Sequence, residues 1–335
     1  MTQQASECKE TILVPDDATP GMRIDSFLAN AISALSRSAI KELICAGKVL
    51  YDGKACKPSD TIRPGGTFEV SMPIEKPHTL VPQDIALNII YEDEHLLVLN
   101  KQPGIVVHPG NGNEDGTVVN ALMHHRGTED FLAMVDDDQR PGIVHRLDRD
   151  TSGALIIAKR AEVRERLYRM FQEHDVKKTY LALIIGKMEM PEGMIELPIG
   201  RHPHNPTLRM VVAKGKGREA CTEYRTVATA IGAFGKEVSL MKIRLHTGRT
   251  HQIRVHFAHF GHPVLGDELY GGCPAKMPYP AKRQMLHAWR LAFRHPVTNA
   301  PMRIEATIPD DFKDALKALA LPSPPTLPSG GQGNK

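Results

Sequence analysis

A chain of 335 residues with 41% hydrophobic and 24% charged residues has the composition of an ordinary soluble protein, long enough for one large domain and one small one. The N-terminus lacks a basic region followed by an apolar run, no stretch approaches the roughly 20 apolar residues of a bilayer span, and the five cysteines (Cys8, Cys45, Cys56, Cys221, Cys273) are scattered. A secreted, membrane-embedded, disulfide-stapled or zinc-dependent protein is therefore not expected, and the cytoplasm is the expected compartment. The net charge of +3 is uneven, with four Lys/Arg against eleven Asp/Glu over residues 76–140, six against two over 201–225 and ten against two over 241–303. A polyanion would be drawn to the second half, although scattered solvated charges give the same count.

Residues 1–19 show no regular pattern and read as a tail. Ile24, Phe27, Leu28 and Ala31 recur at helical spacing, Ser36 suits the N-cap of a second helix through Ile40, Leu43 and Ile44, and Gly47 suits its stop. Strand-like pieces follow at 48–51 and 67–70, with Asp52 and Gly53 as the turn between them. Two short helices and a hairpin bury little core, so residues 20–72 read as a module beside a larger domain. The segments RIDSFL (23–28) and LSRSAIKELICAGKVL (35–50), with the Asp-Gly after them, resemble an S4-type RNA-binding domain. That resemblance implies an RNA-facing second helix and adjacent loops presenting Arg37, Lys41, Lys48 and Lys54. Residues 1–75 as a whole carry eight basic against ten acidic side chains, so any such face is local.

Pro73, Pro77 and Pro82 make 73–86 a linker. Beyond it, strand-like runs at 87–91, 95–100, 154–159, 178–185, 222–228, 238–245 and 286–293 are interrupted by helical patterns at 117–125 and 161–172. The regular alternation of a parallel doubly wound fold is missing, which predicts an α+β domain over 87–315 with a mixed sheet. Residues 316–335, ending in the proline- and glycine-rich PSPPTLPSGGQGNK, read as a disordered tail.

In GIVHRLDRDTSGALIIAK (142–159) a short apolar run enters a charged turn and an apolar strand leaves it. Asp148, flanked by Arg146 and Arg149, would stay ionised at neutral pH and could serve as nucleophile or base. The same alternation also suits a solvated salt-bridge cluster. In KKTYLALIIG (177–186) Tyr180 sits near the start of a strand, where a half-buried sheet tyrosine is the ordinary outcome. In LHTGRTHQIRVHFAHFGHPVLGD (245–267) Thr250 can cap and Gly261 can end a helix of about ten residues. That helix would place His251, Arg254 and Ala258 on one face and Ile253, Phe257 and Phe260 on another, while a short strand over 251–256 competes with it. The spacing of His251, His256, His259 and His262 matches no metal motif, and the Gly-rich VLNKQPGIVVHPGNGNEDGTVVNAL (98–122) lacks the GKS/T of a nucleotide loop.

HRLDRDTSG (145–153) resembles the HRLDxxTSG signature of the RluA-type pseudouridine synthases at all seven fixed positions. The likeness extends through the Tyr180 strand, GRTHQIRVH and the HPG loop, over about residues 20–310. It implies the pseudouridine synthase fold, with a mixed, mainly antiparallel sheet behind a small S4-like domain. It also implies isomerisation of specific uridines in large-subunit (23S) ribosomal RNA, free or in a pre-ribosomal particle, by a monomer away from membranes. Asp148 would be catalytic, Tyr180 would stack on the target uracil, and Arg254, or failing it Arg249, would pair with Asp148. Ile253 would pack against the flipped base and Arg146 would fill the space it leaves. Because the reaction is redox-neutral and adds no atoms, no cofactor is expected. Whether Asp148 attacks C1′, attacks the ring or removes a ribose proton stays open. Two other readings are a non-catalytic RNA-binding factor for ribosome assembly and a hydrolase using Asp148 and Asp150 as paired carboxylates.

Overall fold

The structure is a computed structural model that describes residues 7–19, 21–32, 35, 37–73, 80–110, 113–127, 141–205 and 207–325. It divides into two units, Met1–Thr79 and Leu80–Lys335. In the smaller unit β1 (Glu7–Leu13), α1 (Ile24–Ala31), α2 (Arg37–Cys45), β2 (Val49–Tyr51), β3 (Lys54–Ala55) and β4 (Thr67–Pro73) surround one core. Ile24 and Leu28 of α1 and Ile40 and Ile44 of α2 meet Val49, Phe68 and Val70 of an antiparallel sheet ordered β1-β4-β2-β3. The Asp52–Gly53 turn, with φ of 49° and 72°, joins β2 to β3, and β4 pairs with the other edge of β2. Such left-handed values at both central residues give the hairpin a twist that matches its strands. Ser36 lies outside the described residues.

The tail expected over residues 1–19 is corrected by β1, which pairs with β4 from Glu7 to Leu13. Its sequence ECKETIL carries no apolar alternation, so the strand is held by the edge of β4 and by Ile12 and Val14 against the core.

The larger unit contains β5 (Ile89–Glu92), β6 (Leu96–Lys101), α3 (Val118–Arg126), β7 (Ser152–Ala158), α4 (Ala161–Gln172), β8 (Lys177–Ile185), β9 (Glu192–Glu196), β10 (Ile199–Arg201) and β11 (Arg209–Val211). It continues with β12 (Cys221–Ile231), β13 (Glu237–Leu245), α5 (Gln252–His259), β14 (Leu286–Arg294), β15 (Pro301–Glu305) and α6 (Asp310–Ala318). Nine strands form one sheet in the order β5-β6-β7-β14-β8-β13-β12-β9, with β15 added on β14. Among the described residues only β7 and β14 run parallel, at Ser152–His287 and Gly153–Ala288, so the sheet is mixed and mainly antiparallel.

Gly153 sits at that crossing with φ of 117°, and a Cβ there would overlap the Ala288 carbonyl. The glycine of the TSG segment is thus what lets the two strands meet. Helix α3 starts at a capping box in which Thr117 and Asn120 each bind the other's backbone N–H. Helices α3 and α5 set Val119, Leu122, Ile253 and Phe257 on the cluster formed by Leu99, Leu155, Ala182 and Ile243. Helix α4 packs Val163 and Leu167 on a second cluster of the sheet.

Two boundaries differ from expectation. Residues 80–86, expected in the linker, are tied to the larger unit, because Asn120 donates to the Val81 carbonyl and accepts from Gln83 N–H while Leu80 and Ile85 pack on its core. Residues 316–321, expected in the tail, are packed. Phe312, Leu316, Leu319 and Leu321 meet Leu181, Leu183 and Trp289, and α6 runs to Ala318. The proline-rich run after them hid the i, i+4, i+7 spacing of Phe312, Leu316 and Leu319. Pro77 and residues 326–335 lie outside the described residues. Strands β9, β10, β11 and β15 were not expected; they are three to five residues long and take their shape from neighbouring strands.

Candidate active site

Asp148 occupies the turn that leads from buried Leu147 into β7. Three contacts fix this turn: Thr151 N–H donates to the Asp148 carbonyl, Gly104 N–H to the Arg149 carbonyl, and the Arg149 guanidinium back to the Gly104 carbonyl. Buried Lys101 donates to the carbonyls of Gln102, Ile105 and Arg149 at 2.8–2.9 Å, joining the turn to the end of β6. His145 of the same segment is not a cleft residue. It stacks on Phe171 at 4.5 Å and accepts from Ile156 N–H, and burial, helped by the charge of Lys178, pushes its pKa down to about 3.

From α5, Arg254 donates through Nη1 to Asp148 Oδ2 at 3.0 Å and through Nε and Nη2 to both oxygens of Asp267 at 2.7 and 2.9 Å. Arg254 is 5% exposed, Asp267 is fully buried and the Asp148 side chain is 18% exposed. Burial opposes the charge of Arg254, but the hydrogen bonds of Asp267 and the charge of Asp148 outweigh it and raise its pKa. A guanidinium held on two edges by carboxylates cannot rotate away, which fixes the third partner, Asp148. Asp267 also accepts from the backbone of Leu269 and Tyr270, and its loop closes at Gly272, where a Cβ would overlap the Val264 carbonyl.

His251 precedes α5 in the left-handed region, with φ of 58°, so Thr250 does not act as the expected N-cap. The first turn is instead closed by Gln252, whose side chain accepts from Arg249 N–H and from the Thr247 hydroxyl. Tyr270 OH accepts from Arg209 N–H and lies 2.8 Å from His251 Nδ1, leaving His251 Nε2 to face Asp148 Oδ1 at 3.9 Å. Burial holds the imidazole pKa below its ordinary value against the charge of Asp148. Residues 252–257 are all buried, so the two-faced helix expected here is enclosed on every side.

A cleft of about 560 Å³ opens over these groups, lined by Arg146, Asp148, Tyr180, Arg249, Ile253 and Arg254 among others. Six sequence-derived residues therefore share one site. Burial, and then the charge of Asp148, raise the pKa of the Tyr180 phenol, so it stays protonated. Arg249 turns its Nε to the Glu219 carbonyl, so the Asp148 ion pair belongs to Arg254. Asp150 does not line the cleft, and its carbonyl accepts from Arg283. In the smaller unit Arg37 and Lys41 share buried Asp25 with Arg23 at 2.9, 3.7 and 3.0 Å. The Arg23 hydrogen bond, and then Arg37, hold that carboxyl well below the usual range despite burial. Lys48 is exposed at the turn after α2. Among the described residues no cluster of three or more His, Cys, Asp or Glu could hold a metal ion, and no helix is long and apolar enough to cross a membrane.

Sequence reading missed Asp267, Tyr270 and Lys101. A signal for Asp267 existed, since an arginine on a buried helix needs more than one partly exposed carboxylate to neutralise and fix it.

A cleft built on a buried Arg–Asp cluster and carried by a mixed sheet, preceded by a small module with basic side chains along its second helix, fits an RNA-directed enzyme in both halves of the chain. The model of the RNA pseudouridylate synthase family matches residues 95–259, and that of the S4 domain matches residues 22–67. The ribosomal large subunit pseudouridine synthase D of Xanthomonas campestris is 41% identical over 334 residues, covering 95% of this chain and 96% of its own length. An uncharacterized RNA pseudouridine synthase of Aquifex aeolicus is 42% identical over 90% of this chain and 95% of its own. Among solved structures, human RNA pseudouridylate synthase domain containing 1 superposes with a TM-score of 0.53 at 26% identity, over 73% of this chain and 98% of that one. The chain belongs to the RNA pseudouridine synthase family, with an S4 domain ahead of its α+β synthase domain.

Proposed function

We propose that this synthase converts uridine to pseudouridine in large-subunit ribosomal RNA, acting on a nucleotide flipped into the cleft, with Asp148 as the catalytic carboxylate. The observation that carries the reading is the Asp267–Arg254–Asp148 chain of contacts opening beside Tyr180 and Ile253. The RNA assignment follows the name of the Xanthomonas relative and the S4 domain.

The isomerisation breaks the N1–C1′ bond, turns the uracil and joins C5 to C1′. The bond is hidden while the base is stacked, so the nucleoside leaves its helix, and the pocket replaces the lost stacking with Tyr180 and the apolar surface of Ile253. Arg146, exposed at the mouth, occupies the vacated position in the RNA. Arg254 holds one Asp148 oxygen, Oδ2, while the other, Oδ1, has His251 Nε2 at 3.9 Å, too far for a hydrogen bond. Attack at C1′, attack on the ring and removal of a ribose proton all use that free oxygen. Arg37, Lys41 and Lys48 contact RNA phosphates from the smaller unit.

Asp148→Asn keeps the shape and removes the charge. It should abolish pseudouridine formation in an unmodified large-subunit rRNA transcript, read by carbodiimide sequencing, with RNA affinity within about twofold of wild type. Undiminished modification by this variant would end the proposal.

A further inference from the structure

Lys178 stands two residues before Tyr180 on β8, on the same face of the sheet, and is only 6% exposed. Its ammonium lies over the Phe171 ring, 5.7 Å from the centroid, and about 4.0 Å from where a Cβ on Gly248 would stand. Among the described residues no carboxylate pairs with it and no acceptor receives a hydrogen bond from it. Burial, and then the Arg249 guanidinium, hold its pKa below the ordinary lysine value.

The ammonium is not wholly shut off from solvent, but a largely buried cation without a counter-charge is unfavourable, and a second cation beside it adds to the penalty. The face of an aromatic ring attracts the ammonium but does not replace an anion. Among the described residues no carboxylate pairs with either cation, Arg249 reaching only the Glu219 carbonyl, which points to an anion from outside.

The location indicates what that anion is. Gly248, Arg249 and Thr250 line the catalytic cleft and also a second cleft of about 930 Å³, whose other walls include Arg201, Arg209 and Arg218. Lys178 itself lines neither cleft, but its ammonium stands beneath exposed Gly248, which with Arg249 lines both. We propose that Lys178 and Arg249 form a phosphate-binding pair at this junction, taking a backbone phosphate of the RNA strand whose nucleoside enters the catalytic cleft. The proposal rests on the RNA-modifying reading above.

The test uses the full chain and an unmodified large-subunit rRNA transcript, with affinities measured in an Asp148→Asn background to prevent turnover. Lys178→Met should raise KM about tenfold with kcat within about twofold, and should flatten the slope of log affinity against log salt by about 0.7–0.9. Its thermal midpoint should stay level or rise, because an uncompensated buried charge has gone, and Lys178→Arg should restore the slope. A lower midpoint with slope and KM unchanged would make Lys178 a structural residue and overturn the proposal. Should Lys178→Met fail to fold, half-buried Arg249→Gln decides, with the same slope loss expected and an unchanged slope fatal. Wild-type protein that forms no pseudouridine in this transcript would sink the functional reading, whereas pseudouridine formation with wild-type slopes in both variants would sink the phosphate pair alone.

Discussion

Replacing Asp267 by asparagine tests whether the buried half of the arginine cluster supports the exposed half. Asp267 is fully buried and binds Arg254 through two charge-assisted hydrogen bonds, each contributing about 1.5–3 kcal/mol. Breaking a buried ion pair from one side costs about 3–5 kcal/mol. Asparagine keeps one acceptor, and Asp148 remains as counter-charge, so the lower end applies: about 3 kcal/mol, or a fall in Tm of about 6–12 °C for a domain of this size. Turnover should fall about 10²-fold, because a guanidinium displaced by about 1 Å no longer aims Asp148. Asp148→Asn provides the contrast. Its side chain is partly solvated and Arg254 keeps Asp267, so its Tm should lie within about 2 °C of wild type, the shift expected for about 0.5 kcal/mol. Differential scanning calorimetry with single-turnover assays gives both quantities. An Asp267→Asn protein with wild-type Tm and rate, or an Asp148→Asn protein that is the less stable of the two, would refute the reasoning.

Tyr180→Phe should retain most activity if the ring is a stacking platform, whereas Tyr180→Ala should lower kcat/KM by about 10- to 100-fold, matching about 1–3 kcal/mol of lost stacking; equal losses in both variants would assign the work to the hydroxyl. Burial holds His145 at about 3 and His287 at about 4, so both are neutral in the fold and the unfolded chain binds protons more readily. Their contribution is complete above the unfolded histidine value of about 6.5 and is lost as pH falls toward the folded values, by about 4 kcal/mol for the two together at pH 5. Urea melts at pH 7.5 and 5 should show that loss, and equal stability would contradict it. Gly153→Ala should destabilise by about 2 kcal/mol or more through its φ and the Ala288 carbonyl, measured as a lower urea midpoint at unchanged slope.

Long elements were legible in the sequence because their side-chain period is set by burial against one layer. The all-buried β7 reads as an unbroken apolar run, and α4 follows its pattern from Ala161 to Gln172. Edge strand β1 was not legible, since pairing with β4 supplies what its own residues lack. The cleft lining was legible wherever it lies in short segments, as with Asp148, Tyr180 and Arg254, whose common cleft the sequence could suggest only through resemblance. Which residue is the second carboxylate of Arg254, and the role of Lys101, were illegible for a different reason. Asp267 and Lys101 each act on a partner 13 or 48 residues away through contacts that leave no local pattern.

The cleft floor presents the carboxylate of Asp148, with Arg254, Asp267 and the Lys101 ammonium buried behind it, while Arg146 and Arg249 stand on its walls. On the proposed reading, such a field would sort an incoming nucleotide by its own polarity, with the phosphates held by the wall arginines and the uncharged sugar and ring facing the floor. Orientation would thereby be imposed before any base-specific contact forms, and a chain of four different nucleosides would be held the same way round while the pocket tests which one it has received.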